Sequence, residues 1–324
     1  MTPAAIAKRK RTRILLAFAA VYVLWGSTYL FIKYAIETLP PFLLGFSRFA
    51  VSGSLLYALA RWRGAPNATL SEWKMAAITG VLMLGFGNGA VMWSEKSIPS
   101  GVVALIVSSV PIWIVVIDWL RPNGVRPRKS VLAGLVLGFI GMIILVGPRA
   151  IVGEGHIDEF AALILLGGSI AWAVGSLATR GKKPGSPIVF AALQMLAASA
   201  AMGIMSLATG DFARFSFANV STRSIVSFVY LVVAGSILGY TAYVYLLGVV
   251  SAAKAATYAY VNPVIAVLLG WAFANEPITM RTIVAAAVVL AGVAIITTAQ
   301  GRGSATTGEH PVPRQPDEPQ RTAA

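Results

Sequence analysis

The stretch TYAYVNPVIAVLLGW, residues 257–271, is apolar enough to lie in a bilayer, yet it places Asn262 and Pro263 where the middle of a helix belongs. Proline has no N–H and crowds the carbonyl four residues back, so this helix is expected to bend and to release the Ala259 carbonyl. In lipid, a freed backbone group has to find a partner in protein or in a water-filled cavity. The pattern occurs a second time, as LIVSSVPIWIVVIDW at 105–119. In both stretches proline is the seventh residue and tryptophan the fifteenth. Two interrupted helices in register predict a duplicated architecture with a site between the copies.

The surrounding composition is that of a membrane protein. The 324 residues are 57% hydrophobic and 12% charged, with a mean hydropathy of +0.76. A soluble domain carries roughly 25% charged residues; with half that share, the apolar surface is hidden only in a bilayer. Zero cysteines exclude a disulfide scaffold, thiolate metal sites and cysteine nucleophiles. The two histidines, His156 and His310, fall in expected loops, so neither a metal nor another cofactor is expected. The net charge of +14 does not point to nucleic acid, because the cations are scattered through short loops between apolar runs.

Ten such runs are each long enough for a helix across a core of roughly 30 Å. They lie at 14–33, 42–60, 75–94, 101–120, 130–147, 160–179, 188–208, 224–247, 253–273 and 280–298. A basic segment, 1–13, precedes them, and a polar segment, 299–324, expected to be disordered, follows. The basic start resembles a signal peptide, but the first run is too long and no small-residue cleavage site closes it. With the N-terminus inside, the cytoplasmic segments from Lys8 to Lys254 collect sixteen Lys and Arg, and the outer side collects seven. That excess predicts both termini on the cytoplasmic side of the cytoplasmic (inner) membrane.

Landmarks recur 146–152 residues apart: Trp25 with Trp172, Pro41 with Pro187, Gly87 with Gly239, Pro111 with Pro263 and Gly141 with Gly292. The order matches runs 1–5 to runs 6–10. Five spans per copy is an odd number, so the second copy enters the membrane from the opposite side. The expected fold is an all-α integral membrane protein of ten transmembrane helices, arranged as two inverted five-helix repeats at 14–147 and 160–298. Secondary transporters built this way place their site near the midplane between the repeats.

The run WGSTYLFIKYAIETLPPFLLGFSRF, 25–49, resembles the opening of an EamA-type domain of the drug/metabolite transporter superfamily, and YAYVNPVIAVLLGWAFANEPIT, 258–279, resembles the end of its second copy. The stretch GNGAVMWSEKSIPSG, 87–101, is similar to one bacterial inner-membrane branch of that superfamily. The resemblance covers about residues 14–298. It implies a ten-helix carrier or exporter of small metabolites with no ATPase domain. The second copy has Glu276-Pro277 after its ninth span where the first copy has RPNGVRP, 121–127, so an equivalent acid in both halves is not implied.

Polar and aromatic residues inside apolar runs are the candidate substrate contacts. Asn262 and Tyr258 share a helix face with Lys254, at a spacing of four, and a mid-membrane asparagine has to be hydrogen-bonded toward the bundle interior. Asn262 has no polar counterpart, since Val110 stands at its matched position. Tyr240 lies well inside its run and matches Asn88, which sits among the small residues of GFGNG. Arg48 is about seven residues in from Pro41, roughly 10 Å deep; it either snorkels outward or binds a carboxylate, and its counterpart Gln194 is polar as well. Trp25, Ser27 and Trp172 open the two halves, and Trp93 closes the third run. Each has a structural alternative: tryptophans pack, and aromatics near helix ends anchor to the interface. Pro111 and Pro263 are the expected hinges. No Asp or Glu falls at a midplane, so the one candidate for proton coupling is Glu95, at the end of the third run.

The leading function is therefore a secondary transporter, an exporter of a small amino-acid-like or other polar or amphipathic metabolite. It would act by alternating access, as a monomer or homodimer in the bilayer. Two other classes compete. A membrane-integral enzyme is disfavoured by the lack of HExxH, GxSxG, a P-loop and clustered intramembrane acids. A sensory or scaffolding protein would carry a soluble output domain, and the segments outside the apolar runs are short.

Overall fold

The computed structural model of the chain describes residues 3–98, 100–122, 124, 126–146, 158–182, 184–274 and 279–301. His156, His310, Glu276, Pro277 and the expected tail from 302 onward lie outside them. Among the described residues there is no strand. The first half comprises α1 (Pro3–Ile36), α2 (Pro41–Trp62), α3 (Leu70–Ser94), α4 (Ser100–Val107), α5 (Val110–Leu120) and α6 (Lys129–Val146). The second comprises α7 (Glu159–Thr179), α8 (Pro187–Ala208), α9 (Thr222–Val249), α10 (Ala252–Ala255), α11 (Tyr258–Ala274) and α12 (Met280–Gly301). Two single turns, Asp211–Arg214 and Phe217–Asn219, lie between α8 and α9.

Seven helical stretches among the described residues are long and apolar enough to cross a membrane: Ala7–Ile36, Pro41–Trp62, Leu70–Ser94, Val103–Leu120, Glu159–Thr179, Pro187–Ala208 and Thr222–Val249. Shorter apolar helices at Lys129–Ile144 and Met280–Ile296 stand beside them. Large apolar side chains such as Leu16, Ile78, Leu163, Ile204 and Ile225 are exposed on the outside of the bundle. That apolar exterior is stable only against lipid.

Packing repeats between the halves. Helix α1 lies against α9 and α11, and its counterpart α7 lies against α3 and α5. Helix α2 packs on α8, and α6 packs on α12. Exchanging the two halves leaves these neighbours unchanged. The local winding repeats too: the middle of α3 (Val81–Asn88) and the middle of α9 (Leu231–Tyr240) are both π-helical. Even the caps correspond. Glu72, in the first turn of α3, accepts from the Gly185 backbone N–H shortly before α8, and Asp211, in the turn after α8, accepts from the Phe42 N–H at the start of α2.

Several sequence expectations shift. The basic residues Lys8 to Arg13 belong to α1 instead of a separate segment, because Lys and Arg favour helix and nothing from Ala4 onward breaks it before Ile36. Helix α3 starts at Leu70, five residues before the expected 75. Thr69 accepts from the Glu72 N–H while Glu72 accepts from the Thr69 N–H, a reciprocal cap that fixes the start. The two proline helices are interrupted, not simply bent, and at unmatched positions. In the first copy the chain breaks at Ser108–Ser109, and Pro111 sits in the first turn of α5, where its missing N–H is no loss. In the second copy the break falls at Ala256–Thr257, and Pro263 lies inside α11. Lys254 is therefore on α10, off the helix that holds Tyr258 and Asn262, with its ammonium 6.0 Å from the Phe18 ring centre.

Candidate functional site

A cavity of about 590 Å³, its open mouth included, lies among helices of both halves. Helix α1 contributes Trp25, Thr28, Tyr29 and Ile32, and α2 contributes Arg48. Helix α3 adds Gly87, Asn88 and Val91, with Val107 and Val110 on either side of the α4–α5 break. From the second half come Gly168, Ser169 and Trp172 on α7, and Tyr258 and Asn262 on α11. The α4–α5 break, the start of α11 and the π-wound middle of α3 thus border the cavity, where irregular backbone is tolerated inside a membrane protein.

The aromatic wall is built by swapped contacts. The Trp25 indole N–H donates to the Gly235 carbonyl at 2.9 Å, and the indole lies so close to Gly239 that a Cβ there would be 2.5 Å from its nitrogen. Trp172 lies in the same way on Gly87, where a Cβ would be 3.1 Å from its ring. Each half thus places its tryptophan on the other half's glycine. The two indoles meet edge to face, 5.6 Å between ring centres, and Tyr258 stands 4.8 Å from Trp25. Behind them Tyr243 accepts from the Trp172 N–H at 3.3 Å and pairs with the Ser176 hydroxyl at 2.9 Å.

Arg48 is 3% exposed, so it does not snorkel outward. Its Nε donates to the Ser236 hydroxyl at 2.8 Å, but Nη1 is buried without a hydrogen-bond partner. Among the described residues no Asp or Glu forms an ion pair with it. Asn88 Oδ1 is likewise buried and unpartnered. The Asn262 amide nitrogen, oriented toward acceptors, donates to Tyr22 O at 3.2 Å and Tyr258 O at 3.1 Å, so this residue ties α1 to α11 as well as lining the cavity. Among the described residues there is no cluster of acids or histidines suited to a metal ion.

Glu95 follows α3 directly, one helical turn beyond Val91, to whose carbonyl its N–H donates at 3.0 Å. Both carboxyl oxygens are buried without a hydrogen-bond partner. Tyr29 and Lys33 of α1 interact with it electrostatically. Burial pushes the carboxyl up to about 8, with Lys33 pulling the other way.

Six of the ten sequence-selected contacts therefore border the cavity: Trp25, Arg48, Asn88, Trp172, Tyr258 and Asn262. The other four do not. Gln194 is buried, its amide donating to Thr79 at 2.7 Å and Thr179 at 3.4 Å. Its backbone abuts Gly80, whereas the Arg48 guanidinium abuts Gly235, and of the matched pair only the arginine reaches the cavity. Ser27 donates to Leu24 O and pairs with the Tyr230 hydroxyl. Tyr240 packs behind the indoles, 6.5 Å from each, and Trp93 meets Phe160 edge-on. Thr28, Tyr29 and Ser169 were not anticipated. Thr28 and Tyr29 follow Trp25 by three and four residues and Ser169 precedes Trp172 by three, the spacing of one helix face.

Comparison with known proteins fits this two-copy frame. The model of the EamA-like transporter family matches the chain twice, at 12–147 and 159–298. The chain belongs to the EamA-like transporter family. Its first EamA repeat spans α1–α6, its second spans α7–α12, and the cavity draws on both. A curated relative described as the uncharacterised inner membrane transporter YedA, from Escherichia coli K12, is 35% identical over 87% of this chain and 89% of its own. The uncharacterised transporter YvbV of Bacillus subtilis is 26% identical over 90% of this chain and 92% of its own. A solved crystal structure that is 20% identical superposes with a TM-score of 0.71, covering 90% of this chain and 99% of that one, and shows the same fold. Family and apolar helices together make this EamA protein a multi-pass membrane protein.

Proposed function

We propose that this EamA-like protein is a secondary transporter, an exporter that moves a small amino-acid-like or otherwise amphipathic metabolite across the cytoplasmic membrane by alternating access. The observation that supports it best is the cavity bounded by both repeats, in which Trp25 rests on Gly239 and Trp172 on Gly87. A site at the interface of two like halves opens to either side as one half rocks against the other. In this reading the chain has ten spans in two inverted repeats, with both termini cytoplasmic. The three aromatics form the walls, and Arg48, Asn88 and Asn262 orient the substrate. Glu95 couples transport to protons. The breaks before Pro111 and Pro263 supply the hinges. In this reading the protein works in the bilayer as a monomer or a homodimer. Relatives described as transporters agree with this. The test is the metabolite content inside and outside cells with and without the protein. At least one compound class is expected to accumulate outside when the protein is present; an unchanged profile at normal membrane abundance contradicts the proposal.

A further inference from the structure

The cavity contains a charge that nothing described in the protein neutralises. Arg48 is buried, hydrogen-bonded through Nε to a neutral serine, and free at Nη1. Removing a guanidinium from water without a counter-charge is costly, and such groups persist where a partner arrives from elsewhere. Among the described residues no other lysine or arginine lines the cavity, so the site is matched to one negative charge. A planar carboxylate fits a guanidinium edge, whereas a phosphate dianion would bring one negative charge too many. The second unsatisfied group has the opposite requirement: Asn88 Oδ1 is an acceptor without a donor. Among the remaining lining, Trp25, Trp172 and Tyr258 offer aromatic faces, beside the polar side chains of Thr28, Ser169 and Asn262.

We infer that the substrate is a small organic acid with one carboxylate seated on Arg48, a hydrogen-bond donor directed at Asn88, and an apolar part against the indoles. This rests on the transport reading and narrows it to a class. Gly235 belongs to the arrangement, because a Cβ there would lie 2.7 Å from Arg48 Nη2 and force the guanidinium out of place.

The test extends the metabolite comparison to variants. In cells bearing the wild-type protein, the compounds whose outside-to-inside ratio depends on it are expected to be carboxylic acids. Arg48→Gln, at unchanged membrane abundance and thermal stability, should lower their export by about tenfold or more. Arg48→Lys keeps the charge but loses the fork and should retain part of it. Gly235→Ala removes no charge and should still reduce export, because it displaces the guanidinium; it also serves if Arg48→Gln fails to fold. Protein-dependent compounds that are all neutral, basic or phosphorylated overturn the inference, as does undiminished acid export by folded Arg48→Gln. A wild-type profile with no protein-dependent compound removes the transport reading itself, and this inference with it, so the two failures are distinguishable.

Discussion

At the scale of single residues, a fixed cation, Arg48, lines the cavity, and a titratable acid, Glu95, lies one helical turn beyond the lining residue Val91. Below about pH 8 Glu95 is neutral, because burial holds its carboxyl well above the usual carboxylate range. As the pH rises through that value it becomes an anion beside the cavity, faced by Tyr29 and Lys33, and it repels an anionic substrate. By linkage, substrate and proton favour each other's binding. Apparent affinity for the exported acid should therefore fall as pH rises through about 8 in the wild type and stay flat in Glu95→Gln. Uptake into inverted vesicles across that pH range checks this, and a Glu95→Gln variant that keeps the wild-type slope would remove the acid from the coupling role. Arg48 and Gln194 show where sequence reading stops at this scale. Both are polar side chains inside apolar runs at matched positions. Each is left with one buried polar atom lacking a hydrogen-bond partner, Arg48 Nη1 and Gln194 Oε1, so what separates them is position: Arg48 lines the cavity, while the Gln194 amide nitrogen turns to Thr79 and Thr179.

At the scale of helices, contact between halves is controlled by small residues in the π-wound middles of α3 and α9. A methyl group added at Gly239 would push on the Trp25 indole and the adjoining backbone. Gly239→Ala should cost about 1–3 kcal/mol of stability by overpacking and reduce export more than Gly87→Ala, whose added methyl meets Trp172 less closely. Thermal unfolding and transport of the two variants, measured side by side, check the order. The repeated prolines showed in the sequence that two helices are interrupted, because Pro111 and Pro263 each remove a backbone donor. They did not show where. The serines at 108–109 end α4 by hydrogen-bonding back to Leu105 and Ile106 carbonyls, whereas in the second half Thr257 bonds to Lys254 O and to the Tyr22 hydroxyl. Serine and threonine compete with the helix locally, so the breaks follow them instead of the prolines.

At the scale of the whole molecule, the duplication was legible because tryptophan, proline and glycine landmarks recur at nearly constant spacing, and the same residues, Trp25 with Gly239 and Trp172 with Gly87, make the crossed contacts. The cavity was legible only in part: Trp25, Arg48, Asn88, Trp172, Tyr258 and Asn262 stand out in the sequence, whereas Thr28, Tyr29 and Ser169 look ordinary until the helices are brought together. The orientation has its own test. Reporters fused to either end should be active only where a cytoplasmic reporter is, and activity of a periplasmic reporter at either end contradicts the assignment from loop charges. The central claim, a cavity between two repeats that opens alternately to each side, is tested most directly at Ser169, which is buried on α7 and lines it. The chain has no cysteine, so Ser169→Cys introduces a single thiol. Labelled with a membrane-impermeant thiol reagent in right-side-out and inverted vesicles, it should react from both sides, and the exported compound should slow both reactions. Reaction from one side only, or from neither, would contradict alternating access at this cavity.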